Sequence, residues 1–334
     1  MLSVEVRWNL NRNGISWGLV AILLSLFRVD RGVMPELPEV ETVRRGLQRL
    51  TLGFVVDEVE ALLPRTIAAP ESVAKFAAGM VGSVLTGWQR RGKYLLGSLG
   101  TRGDRGTLGV HLRMTGQFLW VDPTTPVSRH TRVRLLGRAR EGDRAERPWE
   151  LRYVDQRTFG RLWWVPPNME PPAVMTGLQK LGPEPFSDEF SVEYLRRSLQ
   201  NRKRTIKAAL LDQALVAGIG NIYADEALFL SGIHPQTVCA DLAEEGSEAG
   251  DRLEKLRDRV VQVLRTSIEA GGTTFSDFVG VTGVNGNYGG EAWVYGRDGQ
   301  PCKQCGTTLE RIKIAGRSSH FCPTCQPVDR GDGP

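Results

Sequence analysis

The sequence has few cysteines, and its N-terminal region lacks an apolar run long enough to cross a membrane. Only five of the 334 residues are cysteine, and four of them cluster near the C-terminus. This excludes a disulfide-stapled fold and indicates a reducing compartment. The apolar run Ile15 to Phe27 falls short of the roughly 20 residues that a membrane helix needs. No small-x-small cleavage site follows it, as a signal peptide would require.

Lysine is also scarce. Eight of the 43 basic residues are lysine, so arginine supplies the other 35, and the net charge is +5. Arginine binds phosphate groups with a planar fork and stacks on bases. The composition, with 41% hydrophobic and 24% charged residues, is that of a globular protein long enough for two domains. Nucleic-acid binding and a GC-rich genome both explain the arginine excess.

The stretch PELPEVETVRRGL, Pro35 to Leu47, predicts an amphipathic helix that begins near Pro38 and carries Glu39 in its first turn. Met34 directly precedes Pro35, which is typical of a translation start. We therefore expect residues 1–33 to be absent from the mature protein. A membrane-associating or signal segment and a structural N-terminal helix are the alternatives.

Two regions of different pattern follow. Short β-like runs separated by Gly, Pro and Asp clusters extend from Gly53 to about Val165 and predict an antiparallel sandwich or barrel. Four prolines within Pro166–Pro172 indicate a stiff linker. The chain is then predicted to be helical as far as Gly271-Gly272, and the loop Thr273–Gly290 is rich in glycine.

The strongest chemical motif is a pair of C-x2-C turns near the C-terminus. Sixteen residues separate the two turns, which is a four-cysteine zinc spacing: Cys302, Cys305, Cys322 and Cys325. Four thiolates complete a tetrahedron, so the zinc should be structural. The sequence between the turns predicts a two-stranded ribbon around Ala315-Gly316, with Arg317 at or near its tip. A generic zinc ribbon with a solvated Arg317 is the alternative.

Weaker motifs have structural explanations as well as functional ones. GIGNIYADE, Gly218 to Glu226, could bring backbone N–H groups to a phosphate or simply form a tight helix–helix turn. RRGKY, Arg90 to Tyr94, could bind phosphate or guard an exposed sheet edge. HLRMTG (111–116) and DQRTFG (155–160) contain residues that are ordinary in a core when taken singly.

Along the chain the motifs occur in the order PELPEVET, RRGKYLL, HLRMTG, DQRTFG, LGPEP, GIGNIYADE, GGTTF and the four-cysteine ribbon. In this order they resemble the bacterial formamidopyrimidine-DNA glycosylases, which excise 8-oxoguanine and ring-opened purines. The resemblance covers Met34 to Gln326. It implies an α+β multidomain fold with a β-sandwich domain, a helix–two-turn–helix domain and a zinc ribbon. The expected segments are an extension (1–33), the catalytic β-sandwich domain (34–165), a linker (166–182), the helix–two-turn–helix domain (183–290), the ribbon (291–327) and a tail (328–334).

The resemblance also implies residue roles in base excision followed by β,δ-elimination. Pro35 would be the nucleophile that forms a Schiff base with the sugar C1′, and Glu36 the acid that protonates the sugar. Lys93 would contact a phosphate and assist elimination, and Arg317 would assist the second elimination. An α-amino group titrates about 2.5 units below a lysine, which favours Pro35 as the nucleophile.

Further residues would contact DNA. A wedge that fills the space left by the flipped base would consist of Met114, Arg157 and Phe159. Positions that match residues lining the DNA or the lesion are His130, Arg202, Lys207, Asn221 and Tyr223. The resemblance thus implies damaged double-stranded DNA as the partner, one structural Zn²⁺ and no organic cofactor. We expect a monomer in the bacterial cytoplasm, associated with the nucleoid and not with a membrane.

Two departures from the family pattern keep other hypotheses open. An amide nitrogen at Pro35, with residues 1–33 attached, cannot form an iminium, so a catalytically silent DNA-binding protein is one alternative. Ser276 stands where a basic residue is common, which leaves base contacts in that loop undetermined. A glycosylase of the pyrimidine-directed endonuclease VIII branch is the other alternative, although PELPEVET argues against it.

Overall fold

The computed structural model describes residues 34–100, 104–139, 146–244, 247–272 and 292–328. The predicted extension 1–33, the loop Thr273–Gly290 with Ser276, and nearly all of the tail lie outside the described residues. Within the described ranges, no helix is both long and apolar enough to cross a bilayer.

The element order agrees with a β-rich region followed by a helical region and a small C-terminal hairpin. The helices are α1 (Leu37–Thr51), α2 (Val73–Met80), α3 (Pro171–Val174), α4 (Val192–Leu199), α5 (Ile206–Leu210), α6 (Asn221–Ser231), α7 (Cys239–Ala243) and α8 (Ser247–Glu269), with 3-10 turns at Pro64–Thr66 and Thr176–Leu178. The strands are β1 (Val55–Ala61), β2 (Ile67–Ala69), β3 (Val84–Arg91), β4 (Tyr94–Gly100), β5 (Asp104–His111), β6 (Gly116–Val121), β7 (Thr131–Ala139), β8 (Arg147–Asp155), β9 (Arg161–Val165), β10 (Glu310–Ile314) and β11 (Arg317–Phe321).

Strands β1 to β9 form one sheet in the order β2-β9-β5-β4-β3-β1-β7-β8-β6. Strand β2 pairs with β9 in parallel, and the other pairs are antiparallel. Trp88 on β3 and Phe118 on β6 lie four places apart in this order, yet their ring centroids are 6.1 Å apart. The sheet therefore folds over on itself into two facing layers, which confirms the predicted sandwich.

Helix α1 packs on this sheet through the predicted apolar stripe. Val40, Val43 and Leu47 are buried in the same core as the strands. Two hydrogen bonds fix the helix on β3: the Trp88 N–H donates to Gln48 (2.8 Å), and the Trp88 indole donates to Thr51 (2.9 Å). These two bonds hold the C-terminal end of α1 against the sheet domain, and the buried stripe holds the rest of the helix.

The helical region has its own core. The predicted stripe of α8 is confirmed, since its members are all buried: Leu253, Leu256, Val260, Val263 and Leu264. Within the predicted helical block, α5 ends at Leu210 and α6 begins at Asn221, so a turn separates the two helices, as one interpretation of GIGNIYADE predicted. In this turn, the Gln213 side chain accepts from the Gly218 N–H (2.9 Å) and donates to the Ile219 carbonyl (2.7 Å).

The proline-rich segment after β9 packs against the sheet domain. Met175 and Leu178 are buried together with Val165, and Tyr94 and Trp163 pack against them. The segment predicted as a linker is therefore attached to the sheet domain along much of its length.

The C-terminal hairpin pairs Ile314 with Arg317 around a two-residue turn. Ala315 and Gly316 have φ values of +48° and +78°, as a type I′ turn requires. The predicted ribbon and its tip are confirmed. Arg317 is the first residue of β11 and its side chain is exposed.

Candidate active site and metal centre

The carboxylate of Glu36 is bound by the N-terminus of α6. It accepts hydrogen bonds from the backbone N–H groups of Ile222 (2.9 Å) and Tyr223 (3.5 Å). The N-cap of α6 is Gly220, which has no side chain to satisfy these groups. Glu36 therefore caps a helix that lies 186 residues further along the chain, where the helix dipole favours a negative charge.

The glycines of GIGN make room for this contact. A Cβ at Gly220 would lie 2.3 Å from the Glu36 carboxyl carbon, and a Cβ at Gly218 would lie 2.6 Å from Leu37. Gly218 also has a φ of +92°, and its carbonyl accepts from the Leu37 N–H (3.0 Å). The N–H groups that could have approached a phosphate are thus taken by Glu36, which corrects that interpretation of the motif.

A second carboxylate supports Glu36 from behind. Glu39 accepts from the Glu36 N–H (2.9 Å) and from the Tyr223 hydroxyl (2.6 Å), which also contacts Ser267 (2.5 Å). All four residues are buried. Burial, followed by the charge of Glu39, raises the pKa of Tyr223 well above its ordinary value, so the phenol stays neutral.

Lys93 follows a turn that is fixed by a glutamate of the LGPEP motif. Glu184 accepts from Arg91 (3.0 Å) and from the Gly92 N–H (2.6 Å), and it pairs with Arg90 (2.7 Å). The two arginines of RRGK therefore bind protein carboxylates, since Arg90 also pairs with Glu41 (3.4 Å). Neither the phosphate nor the edge-guarding interpretation applies to these two side chains.

Lys93 lies close enough to Glu36 and to Arg317 for their charges to shift its pKa, so the three residues belong to one site. Burial raises the pKa of Glu36, while the charge of Lys93 and the bonds to α6 oppose the increase. Burial lowers the pKa of Lys93, the two nearby glutamates oppose this, and the charge of Arg317 adds to it. The raised pKa of the carboxyl and the lowered pKa of the amine bring the two groups closer in acidity, which suits proton transfer between them and a substrate. Pro35, which directly precedes Glu36 in the chain, is also buried.

The two loops predicted as a wedge are held together by Asp155. Its carboxylate accepts from Thr115 (2.5 Å) and from the N–H groups of Arg157 (3.2 Å) and Gly160 (2.8 Å). Phe159 is 49% exposed, with the Arg157 guanidinium 5.1 Å from its ring centroid. Phe159 is thus not a core residue.

Met114, on the facing loop, is half-buried. One residue in each loop has a left-handed backbone, which is rare for residues other than glycine. These residues are Arg113, directly before Met114, and Thr158 in DQRTFG, with φ values of +57° and +59°. Two fixed loops, one of which projects an exposed aromatic ring, therefore stand at one end of the sheet.

The remaining predicted DNA contacts divide into accessible and inaccessible residues. Arg202 is exposed, and His130 is half-buried beside Arg129 (3.1 Å). Burial and the neighbouring arginines lower the pKa of His130. Asn221 is half-buried at the start of α6 and hydrogen-bonds the phenol of Tyr295.

Lys207 and Tyr223 do not offer their side chains to a ligand. Lys207 is fully buried and donates to Asp225 (2.6 Å) and to the Asn221 carbonyl (2.8 Å), and Tyr223 is 1% exposed. Their predicted role as DNA contacts is corrected by this burial. Both instead hold the first turn of α6, which binds Glu36.

The four predicted cysteines form the metal centre. Their sulfurs all lie within 4.8 Å of one another, with Cys305 and Cys322 3.5 Å apart and Cys302 and Cys325 4.0 Å apart. A tetrahedral zinc with Zn–S bonds of about 2.3 Å requires sulfurs about 3.8 Å apart. The donor set fits one structural Zn²⁺ and leaves no open ligand position.

The sequence did not reveal the roles of four acidic residues that hold the site together: Glu39, Glu184, Asp225 and Glu226. Glu226 is buried and accepts from the N–H groups of Trp293, Val294 and Tyr295 (2.8–3.0 Å), which attaches the segment leading to the ribbon. Asp225 binds the ribbon strand β11 itself. The available signal was that YADE places two acidic residues inside a helix that is otherwise apolar.

A buried acid beside an amine of lowered pKa is typical of an enzyme that transfers protons, and this chain combines the pair with a β-sandwich, a helical region and a four-cysteine ribbon. Family models match in order: the formamidopyrimidine-DNA glycosylase N-terminal domain (34–162), its H2TH domain (181–279) and the zinc finger found in FPG and IleRS (299–328). The chain belongs to the formamidopyrimidine-DNA glycosylase family. It is a base-excision repair glycosylase for oxidised purines, and the silent and pyrimidine-directed alternatives are not favoured.

Individual relatives agree with this assignment. Formamidopyrimidine-DNA glycosylases of Acaryochloris marina and Rippkaea orientalis are 60% and 56% identical, over 88% of this chain and 99–100% of their own lengths. A mutant of Lactococcus lactis FPG, solved with a Fapy-dG containing DNA, is 33% identical with a TM-score of 0.75 and covers 88% of this chain and 100% of its own. Lactococcus lactis Fpg with an abasic site containing DNA is 32% identical with a TM-score of 0.75, over 87% and 99%.

Proposed function

We propose that this glycosylase is bifunctional, and that it also cleaves the abasic site through a Schiff base on Pro35. The observation that carries the proposal is the position of the Glu36 carboxyl. Glu36 directly follows Pro35, and its carboxyl is buried and hydrogen-bonded to the N-terminus of α6. The relatives solved with Fapy-dG and with abasic-site DNA are consistent with both activities.

In the proposed reaction, the Pro35 nitrogen attacks the sugar C1′, and the damaged base leaves with the electrons of the glycosidic bond. The proton that the Pro35 nitrogen gives up neutralises the departing base. Glu36 donates its proton to the ring oxygen, the sugar opens and a cationic iminium forms on Pro35. The iminium acidifies the C2′ hydrogen. Loss of that proton expels the 3′ phosphate (β-elimination), and a second elimination expels the 5′ phosphate (δ-elimination).

Lys93 and Arg317 are the proposed partners of the phosphates. Lys93 contacts the phosphate beside the lesion and assists elimination, and its lowered pKa makes the amine a better proton acceptor than an exposed lysine. Arg317, exposed at the ribbon tip, binds phosphate and assists the second elimination. The zinc, when bound, holds the ribbon that carries Arg317 and supplies no chemistry to the reaction.

We further propose that the wedge of Met114, Arg157 and Phe159 fills the space left by the flipped base. His130, Arg202 and Asn221 are the proposed additional DNA contacts. Exposure of Phe159 and Arg202 supports these roles. The protein would act as a monomer in the bacterial cytoplasm on nucleoid DNA, where thiolate zinc ligands stay reduced, and size-exclusion chromatography with light scattering tests the oligomeric state.

The reaction requires a free secondary amine, so the active form is the one that begins at Pro35. Borohydride trapping on an 8-oxoguanine duplex tests this directly, because it reduces an iminium to a stable cross-link. Protein that begins at Pro35 should cross-link, and the 334-residue chain and Pro35→Gly should cross-link far less. An absence of trapping by the Pro35-started protein would refute the lyase proposal.

A further inference from the structure

Asp225 connects the helix that binds Glu36 to the strand that carries Arg317. Its carboxylate is 1% exposed and receives hydrogen bonds from Lys207 (2.6 Å), the Ser319 hydroxyl (2.7 Å) and the His320 N–H (2.9 Å). The His320 imidazole lies 3.2 Å from the same carboxylate. A buried charge with several hydrogen bonds has little positional freedom, because each lost bond would leave a desolvated group.

On one side, this carboxylate fixes the first turn of α6. Lys207 is fully buried and donates to both Asp225 and the Asn221 carbonyl. Asn221 begins the helix whose next two N–H groups bind Glu36. The ion pair therefore supports the frame of the catalytic carboxyl.

On the other side, the carboxylate fixes β11 close to Arg317. Side chains alternate along a strand, so Arg317 and Ser319 share a face. Two residues span about 7 Å of strand. The hydrogen bonds that Ser319 and the His320 N–H donate to Asp225 therefore determine the orientation of the exposed Arg317 side chain.

Attachment of the ribbon does not depend on Asp225 alone. Glu226 binds the segment Trp293–Tyr295 through three N–H groups, and the four cysteines hold the metal. Loss of the Asp225 contacts should leave the ribbon folded and attached, with only its β11 edge loosened on α6.

We propose that Asp225 is a positioning residue that orients Arg317 relative to Glu36, and so sets the ratio of δ- to β-elimination. This inference rests on the proposed lyase function. Asp225 touches neither sugar nor phosphate in the proposed reaction. It acts through Arg317.

The test compares products from a duplex with a preformed abasic site, using protein that begins at Pro35. The 3′-phosphate end reports δ-elimination, and the 3′ unsaturated aldehyde reports β-elimination alone. We expect Asp225→Asn to lower the δ/β ratio by roughly tenfold, since a misplacement of about 1 Å can cost up to 100-fold. Ser319→Ala, which removes one donor and leaves the ion pair intact, should lower the ratio less. Asp258→Asn, on the exposed face of α8, is the matched control and should leave it unchanged.

A double-mutant cycle separates positioning from general damage. In an Arg317→Ala background, Asp225→Asn should cause no further decrease in the ratio, because the residue through which it acts is gone. An additive decrease would overturn the proposal. Zinc content measured beside each assay should stay at one ion per chain. If Asp225→Asn loses zinc or fails to fold, Ser319→Ala decides.

Failure of the lyase proposal gives a different result. The protein without substitutions would then yield no δ-elimination product, or Arg317→Ala would leave the δ/β ratio unaltered. If Arg317→Ala lowers the ratio while Asp225→Asn and Ser319→Ala do not, only the role of Asp225 is refuted.

Discussion

Gly220→Ala tests whether the position of the Glu36 carboxyl controls base excision. The backbone of Gly220 has a φ of −135°, which alanine adopts without strain, so the substitution adds only a methyl group. That methyl would lie 2.3 Å from the carboxyl carbon of Glu36, where ordinary contacts begin at 3.4 Å. The carboxyl must retreat by about 1 Å, and the hydrogen bonds from α6 must lengthen. A misplacement of this size costs about 100-fold in rate.

The assay is single-turnover excision of 8-oxoguanine, with hot alkali revealing every abasic site so that excision is measured apart from strand cleavage. Gly87→Ala is the matched control, because a methyl group there meets nothing within 4 Å. We expect Gly220→Ala to excise about 100-fold more slowly and Gly87→Ala to match the unchanged protein. An unchanged excision rate for Gly220→Ala would refute the reasoning, and a melting temperature close to that of the unchanged protein would show that the slower rate is not due to unfolding.

Three further predictions follow from the site. Because burial raises the pKa of Glu36, the folded protein holds a proton that the unfolded chain releases, and stability falls as the pH rises above about 4.5. Glu36→Gln should therefore raise Tm at neutral pH and have no effect well below pH 4.5, as measured by calorimetry; equal shifts at both pH values would contradict this. Cys322→Ser should abolish zinc binding, measured by metal analysis, and change the emission of Trp293, which stacks on Phe229 beside the ribbon. Phe159→Ala should weaken binding to lesion-containing duplex by about tenfold at unchanged Tm, because its ring is exposed; a lowered Tm would instead indicate a core role.

Local patterns predicted the parts of the molecule that depend on local physics. The cysteine spacing predicted the zinc site, since each C-x2-C turn forms within a few residues, and the sequence between the two turns predicted the ribbon. The buried stripe of α8 was predictable from its helical period. The turn at Ala315-Gly316 was predictable because two-residue hairpin turns need positive φ values, which glycine adopts readily. Pro35 and Glu36 entered only through the resemblance to a family, supported by amine chemistry.

Long-range partners could not be read in the same way. Glu184 is a surface-like residue in LGPEP until Arg90 and Arg91 are known to face it. Nothing near Gly220 shows that a carboxylate from the other end of the chain fills the space beside it. The prediction that Lys207 contacts DNA was wrong for a related reason: a lysine is ordinarily expected in solvent, and only the fold reveals the buried Asp225 with which it pairs.

The separation of Glu36 from Ile222 has a consequence in time as well as in space. Their 186-residue gap corresponds to roughly 10 to 40 seconds of protein synthesis at common elongation rates. During that interval a nascent chain already carries the proposed nucleophile, Pro35, and the proposed acid, Glu36, but the helix that binds Glu36 has not yet been made. A ribosome-bound chain should therefore be harmless to intact DNA, and so should a fragment truncated before α6, because the reactive pair is aligned only after most of the protein has been made and folded.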